Sequence, residues 1–132
     1  MKNGVENRRI RQVPYTNTHY ELVTKQIGER QMKLMTKEIE KKIPKGYGDG
    51  RIYAKYFHPL TFWKWYAMSY DPDSEIFYGF VHGDFPELGS FSLDDLKSIE
   101  KLMGLPVERD LYWDDTTTID MVSRASNKGF PL

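Results

Sequence analysis

The stretch Arg51–His82, RIYAKYFHPLTFWKWYAMSYDPDSEIFYGFVH, decides the fold. In Arg51–Phe57, Ile52, Ala54 and Tyr56 alternate with Tyr53, Lys55 and Phe57. In Phe62–Tyr70, Trp63, Trp65, Ala67 and Ser69 alternate with Phe62, Lys64, Tyr66, Met68 and Tyr70. In Glu75–His82, Ile76, Tyr78 and Phe80 alternate with Phe77, Gly79 and Val81. Period-two runs rich in aromatic and β-branched residues are strand signals. His58-Pro59 separates the first pair of runs, and Asp71-Pro72-Asp73-Ser74 separates the second. Asp at a turn start with Pro following is β-turn chemistry. The three runs read as an antiparallel meander.

Working outward toward the C-terminus, residues 82–86 (HGDFP) read as a loop and Glu87–Phe91 as a short fourth strand, with Gly89 permitting close backbone approach. Ser92 is an N-cap for a helix over Leu93–Met103, with Asp95 at the third position close to a capping-box pattern. Leu93, Leu96, Ile99, Leu102 and Met103 give that helix an apolar stripe, and Gly104-Leu105-Pro106 stops it. Val107–Trp113 alternates as a last strand, and residues 116–132 read as loop or tail with room for a helical turn near 119–122. Toward the N-terminus, Thr36 caps a short helix over Lys37–Ile43, which Pro44 ends. The following KGYGDG is a flexible turn without the GK[ST] ending of a phosphate loop. The predicted fold is α+β, an antiparallel sheet of four to five short strands with the 93–103 helix on one face and the short 37–43 helix on an edge or the other face. The predicted organisation is an extended basic arm over 1–31, one domain over 32–115, and a tail over 116–132.

The chain has 132 residues, with 19 basic and 19 acidic side chains and no cysteine. Lack of cysteine excludes disulfides, thiolate metal sites and a cysteine nucleophile. No apolar run approaches a membrane span, and residues 1–12 are polar and basic where a secretory signal would be apolar. The expectation is a soluble, intracellular globular domain. The balanced total hides a split, because residues 1–45 carry a net charge of +6 and residues 71–120 a net charge of −10. A basic segment suits phosphate, whereas an acidic one suits a basic protein surface or a cation. Fourteen of the nineteen aromatic residues lie between Tyr47 and Phe91.

Several segments together resemble the domain of unknown function family 2958, small proteins common on phages, plasmids and conjugative elements. The resemblance runs over about Met32–Trp113. Trp65-Tyr66-Ala67, Phe77-Tyr78-Gly79, Glu87-Leu88-Gly89 with Phe91-Ser92-Leu93, and the run from Gly104 to Asp110 (GLPVERD) carry it. It implies a mobile-element accessory protein in a bacterial cytoplasm and supplies no catalytic residues.

Three function classes follow. The leading one is a non-enzymatic accessory protein that binds a host factor, of the kind that inhibits a bacterial defence nuclease. Its candidate partner-binding residues are Asp71, Asp73, Glu75, Trp63, Trp65, Asp114 and Asp115. The partner would be a host protein, such as a basic nucleic-acid-binding effector, and no cofactor is implied. The second class is a metal-dependent single-stranded DNA endonuclease. Asp84, Glu87, Glu108 and Asp110 would hold Mg²⁺ or Mn²⁺, and Glu108, Asp110, His82 and Asp84 are its catalytic candidates. The third is a nucleic-acid-binding accessory protein using Arg8, Arg9 and Arg11, with exposed rings beside Lys55 and Lys64 stacking bases.

Overall fold

Thr36, itself extended, caps the first helix, its hydroxyl accepting from the Ile39 N–H at 3.2 Å. The computed structural model describes residues 33–127, and side-chain surroundings through residue 125. The arm over 1–31, with Arg8, Arg9 and Arg11, lies outside the described residues. The elements are α1 (Lys37–Lys42), β1 (Ala54–Phe57), β2 (Lys64–Asp71), β3 (Ile76–His82), β4 (Pro86–Ser92), α2 (Leu93–Met103), β5 (Glu108–Arg109) and α3 (Ile119–Asn127). The architecture is α+β. Its sheet is antiparallel throughout, in the order β4-β3-β2-β1-β5.

Alternation along the strands splits the aromatic residues between two faces, and both are covered. On the first face Tyr66 and Phe80 sit opposite each other on β2 and β3. They form a core with Ile52, Met68 and Val122, and Trp113 and Ile119 pack against it. On the second face the rings of Tyr56, Tyr70 and Phe91 each lie within 5.5 Å of the Phe77 ring. The Tyr56 hydroxyl donates to the Leu34 carbonyl, which ties the segment before α1 to this face. A strand buried on both sides reads as a near-continuous apolar run. That matches β2, where every residue from Trp65 to Tyr70 is buried.

The register of β2 against β3 shifts between Ala67 and Ser69. Simple alternation puts Tyr70 on the face of Tyr66. The bulge turns it to the other face, opposite Phe77, because one extra residue reverses the pleat beyond it. Beyond Ala67, β2 has no β1 partner, and the loop over 44–50 takes that place. The Tyr70 N–H donates to the Pro44 carbonyl at 2.9 Å, and the Ser69 hydroxyl donates to the Gly46 carbonyl. A Cβ on Gly48, whose φ is 86°, would stand 2.8 Å from the Met68 carbonyl oxygen. The glycines of KGYGDG therefore serve a loop lying along β2.

Three expectations need correction. The tail over 116–132 contains α3, and Val122 within it is fully buried. Residues 51–53 leave the sheet ladder early. Arg51 forms a bridge with Thr118, and the Ile52 N–H donates to the Thr117 carbonyl at 2.9 Å, so the segment before α3 is stitched to the segment before β1. The last strand is also shorter than Val107–Trp113. Asp110 accepts from the Tyr112 N–H at 3.0 Å, and this side-chain turn ends the ladder after Arg109.

Candidate functional site

The β2–β3 turn is built on Asp71. Its carboxylate accepts from the Asp73 N–H and from the Ser74 hydroxyl, both at 3.0 Å. The Asp73 N–H, foremost, holds the Asp71 carboxyl below the usual carboxylate range. Glu75 closes the turn with φ of 58°, a left-handed conformation that is uncommon outside glycine. Its N–H donates to the Asp71 carbonyl at 2.7 Å.

The same end of the sheet carries the start of α2. Ile76 lies opposite both Asp71 and Ser92, and the Leu93 N–H donates to the Glu75 carbonyl at 2.9 Å. Asp71 and Ser92 are thus two strand spacings apart, roughly 10 Å. Asp94 and Asp95 follow at once. Asp95 completes a capping box, accepting from the Ser92 N–H while its own N–H donates to the Ser92 hydroxyl. Asp71, Asp73, Glu75, Asp94 and Asp95 are all exposed at this end, and no basic residue occurs within 71–76 or 92–95. Lys45 is the cation that acts on Asp71. An exposed cluster of like charge of this kind carries a negative potential that attracts cations.

The other predicted partner residues serve the fold. Asp114 accepts from the Thr116 N–H at 2.9 Å and from its hydroxyl at 2.8 Å, and the N–H contact leads in holding its carboxyl low. Asp115 binds Lys42 at 2.9 Å and lies 3.8 Å from Arg51, clamping the loop before α3 to α1. Trp65 is only 6% exposed, so its ring belongs to the core. Trp63 is half-buried, tilted against Trp65 at 5.8 Å, and covers Gly83, where a Cβ would meet its ring at 2.6 Å.

Three of the four predicted catalytic residues, Glu108, His82 and Asp110, fall into two rows across the sheet. Glu108, Phe57, Lys64 and His82 stand opposite one another across β5, β1, β2 and β3. Glu108 is 4% exposed. It lies three strand spacings from His82, roughly 14 Å, too far for direct proton exchange. The second row holds Lys55, Tyr66 and Phe80, and the Asp110 N–H donates to the Lys55 carbonyl at 2.9 Å. The Lys55 ammonium lies 5.9 Å from the Tyr66 ring centre and 5.8 Å from that of Trp113. Burial pushes the Lys55 ammonium below the usual lysine range, with Asp110 opposing. Tyr66 is 1% exposed, so it offers no free ring face for a base. Asp84 lies in the β3–β4 loop, while Glu87 sits opposite Val81 on the second face, away from Glu108. The four metal candidates are not brought together. Among the described residues no group of three or more His, Asp or Glu side chains could hold a metal ion.

His58 was missed as a structural centre. It is 2% exposed, its Nδ1 accepts from the Leu60 N–H at 3.2 Å, and Nε2 therefore carries the proton and donates to the Leu105 carbonyl at 3.0 Å. It ties the β1–β2 loop to the segment after α2. The His58-Pro59 pair was the only sequence signal for a turn there.

The segments that carried the resemblance occupy the sheet, the α2 cap and the β5 approach, and comparison with known families matches residues 23–129 to the protein of unknown function family DUF2958. The chain belongs to that family. The DUF2958 match extends past the resemblance at both ends and takes in α3. No curated protein matches the chain, and no solved structure does. Among the described residues of this DUF2958 protein, no helix is long and apolar enough to cross a membrane.

Proposed function

We propose that this protein is a non-enzymatic accessory protein of a phage or plasmid that docks its acidic end on a basic surface of a host protein, in the manner of an inhibitor of a defence nuclease. The observation that carries the reading is the convergence of Asp71, Asp73, Glu75 and Asp94 at one exposed end of the sheet. The turn hydrogen bonds preset Asp71 in its ionised form, which limits the ordering cost on binding. Carboxylates spaced along a rigid turn and helix start present charge as a phosphate backbone does, and would occupy a channel built for nucleic acid. The resemblance to small proteins common on mobile elements supports that setting.

The test is capture of host proteins on the tagged full chain, with and without added nuclease, beside an Asp71→Asn/Asp73→Asn/Glu75→Gln variant. A stoichiometric basic protein that survives nuclease treatment is expected. It should be lost in the variant and in about 0.5 M salt, where screening shortens electrostatic reach to about 4 Å. Capture unchanged by both the variant and salt sinks the charge-docking reading. Capture abolished by nuclease points to nucleic-acid binding instead. Cleavage of single-stranded DNA with Mn²⁺, lost in Glu108→Gln, would favour the nuclease.

A further inference from the structure

Among the described residues the sheet ends in β4 on one side and β5 on the other. An open edge presents unpaired backbone N–H and C=O groups, and proteins usually blunt it with a short strand, lysines, a bulge or an interior proline. β5 is blunted by being two residues long. β4 has none of these devices. It runs seven residues, PELGSFS, paired with β3 through seven consecutive positions without a shift. Its proline stands first, it has no lysine, and its one charge is Glu87. Glu87, Leu88 and Ser90 are exposed, Leu88 at 52%. Ile76, in β3 on the same face as Leu88, is 43% exposed, so apolar surface borders this edge.

Gly89 is the middle residue of β4. Glycine weakens a strand, and in a strand it commonly marks close approach by another backbone. Its neighbour Gly79 has such a reason inside the chain, since a Cβ there would meet the Tyr66 carbonyl. A Cβ on Gly89 would meet nothing within 4 Å. The middle of the β4 edge is therefore left without a side chain, with open space around it.

We infer that β4 pairs antiparallel with β4 of a second copy about a twofold axis at Gly89, joining two five-stranded sheets into one. This register alone overlaps all seven residues. It sets Gly89 opposite Gly89, Leu88 opposite Ser90, Glu87 opposite Phe91 and Pro86 opposite Ser92, so no two charges meet within the ladder. The two Leu88 side chains become diagonal neighbours on one face, about 7 Å apart. An isologous contact of this kind closes on itself and leaves the two short β5 edges outermost. Beyond the ladder the same register carries Asp84 of one copy toward Asp94 of the other. Self-association therefore tightens as salt screens that pair, opposite in sign to the salt effect on a basic host partner.

Sedimentation of the full chain should show mass rising with concentration from 15.6 kDa toward double, at lower protein concentration in high salt than in low. A Leu88→Lys variant, which sets two ammonium groups beside the axis, should stay monomeric with an unchanged circular dichroism spectrum. The chain has no cysteine, so Gly89→Cys adds a single thiol at the axis. Under mild oxidation it should form disulfide dimers far faster than Ser98→Cys, which is exposed on α2. A wild-type chain that remains at 15.6 kDa up to about 1 mM overturns the proposal. Equal cross-linking of the two cysteine variants does so too, as does a dimer that Leu88→Lys leaves intact. None of these results bears on capture of a host protein through the acidic end.

Discussion

A Cβ placed on Gly79 would stand 1.9 Å from the carbonyl oxygen of Tyr66. Strands β2 and β3 approach this closely beside the bulge at Met68, which leaves no room for a side chain on the second face. Gly79→Ala should destabilise the protein by about 3 kcal/mol or more, at the upper end of overpacking effects. Gly89→Ala, one strand further out with nothing within 4 Å, should change stability by no more than about 0.5 kcal/mol. Urea unfolding of the two variants measures the difference. Equal effects would mean that the close approach at the bulge does not exist.

Four tyrosine hydroxyls titrate above the ordinary range. Burial, foremost, pushes Tyr66 up to about 12, with the Asp110 carboxylate adding to it. Burial also raises Tyr56 and Tyr70, and Tyr53 is raised by donating its proton to Asp49. The folded protein keeps these protons after the unfolded chain has lost them near pH 10. Their stabilising contribution is full below pH 10 and falls as pH rises toward about 12. Lys55, lowered by burial, acts in the opposite sense over a neighbouring range. Ultraviolet titration should resolve an early tyrosine class from one that ionises only as the near-ultraviolet circular dichroism collapses. A single transition near pH 10 with the fold intact would contradict the burial of Tyr56 and Tyr66.

The α2 cap joins the acidic end to the fold. Ser92→Ala removes the acceptor for the Asp95 N–H and should cost about 1 kcal/mol. Asp94→Asn leaves the capping box intact and should cost only a few tenths, through the helix dipole. Thermal melts of the two variants test this order. A larger loss from Asp94→Asn would move the capping role away from Ser92.

Helix α3 is anchored through Val122. Val122→Ala, at a fully buried position, should cost about 2 kcal/mol, while Met121→Ala, at a residue 55% exposed, should cost under about 0.5 kcal/mol. Deleting residues 116–132 should uncover Tyr66, Met68 and Phe80 and raise binding of a hydrophobic dye. An intact, soluble truncated chain with unchanged melting would return the segment to the status of a tail.

The meander was legible because its rings alternate with period two on both sides of Asp71-Pro72-Asp73. The two termini of each strand were less so. Pattern alone could not show that the Asp110 side chain would take the Tyr112 N–H and cut β5 to two residues, nor that Arg51 would bridge to Thr118, 67 positions away. The side of Tyr70 was misread because a bulge leaves no mark in the residue pattern, although it reverses every side chain beyond it. Helix α3, IDMVSRASN, carries only Ile119, Met121 and Val122 as large apolar residues, too few for a sustained stripe. Of the candidate site, the Asp71–Glu75 turn was readable in place. Its meeting with Asp94 and Asp95 follows from the pairing of β3 with β4, and the burial of Trp65 follows from a second covered face. Both are tertiary facts that composition does not carry.

The two-sided burial of β2 also sets a timetable for synthesis. The rings of Tyr66 and Phe80 leave the ribosome well before Val122, their cover on the first face. At ordinary elongation rates the intervening stretch of about 40 residues takes roughly 2–8 s. For that interval a nascent sheet displays sticky aromatic surface beside an open β4 edge, and its yield in the cell depends on what shields it before the last helix arrives.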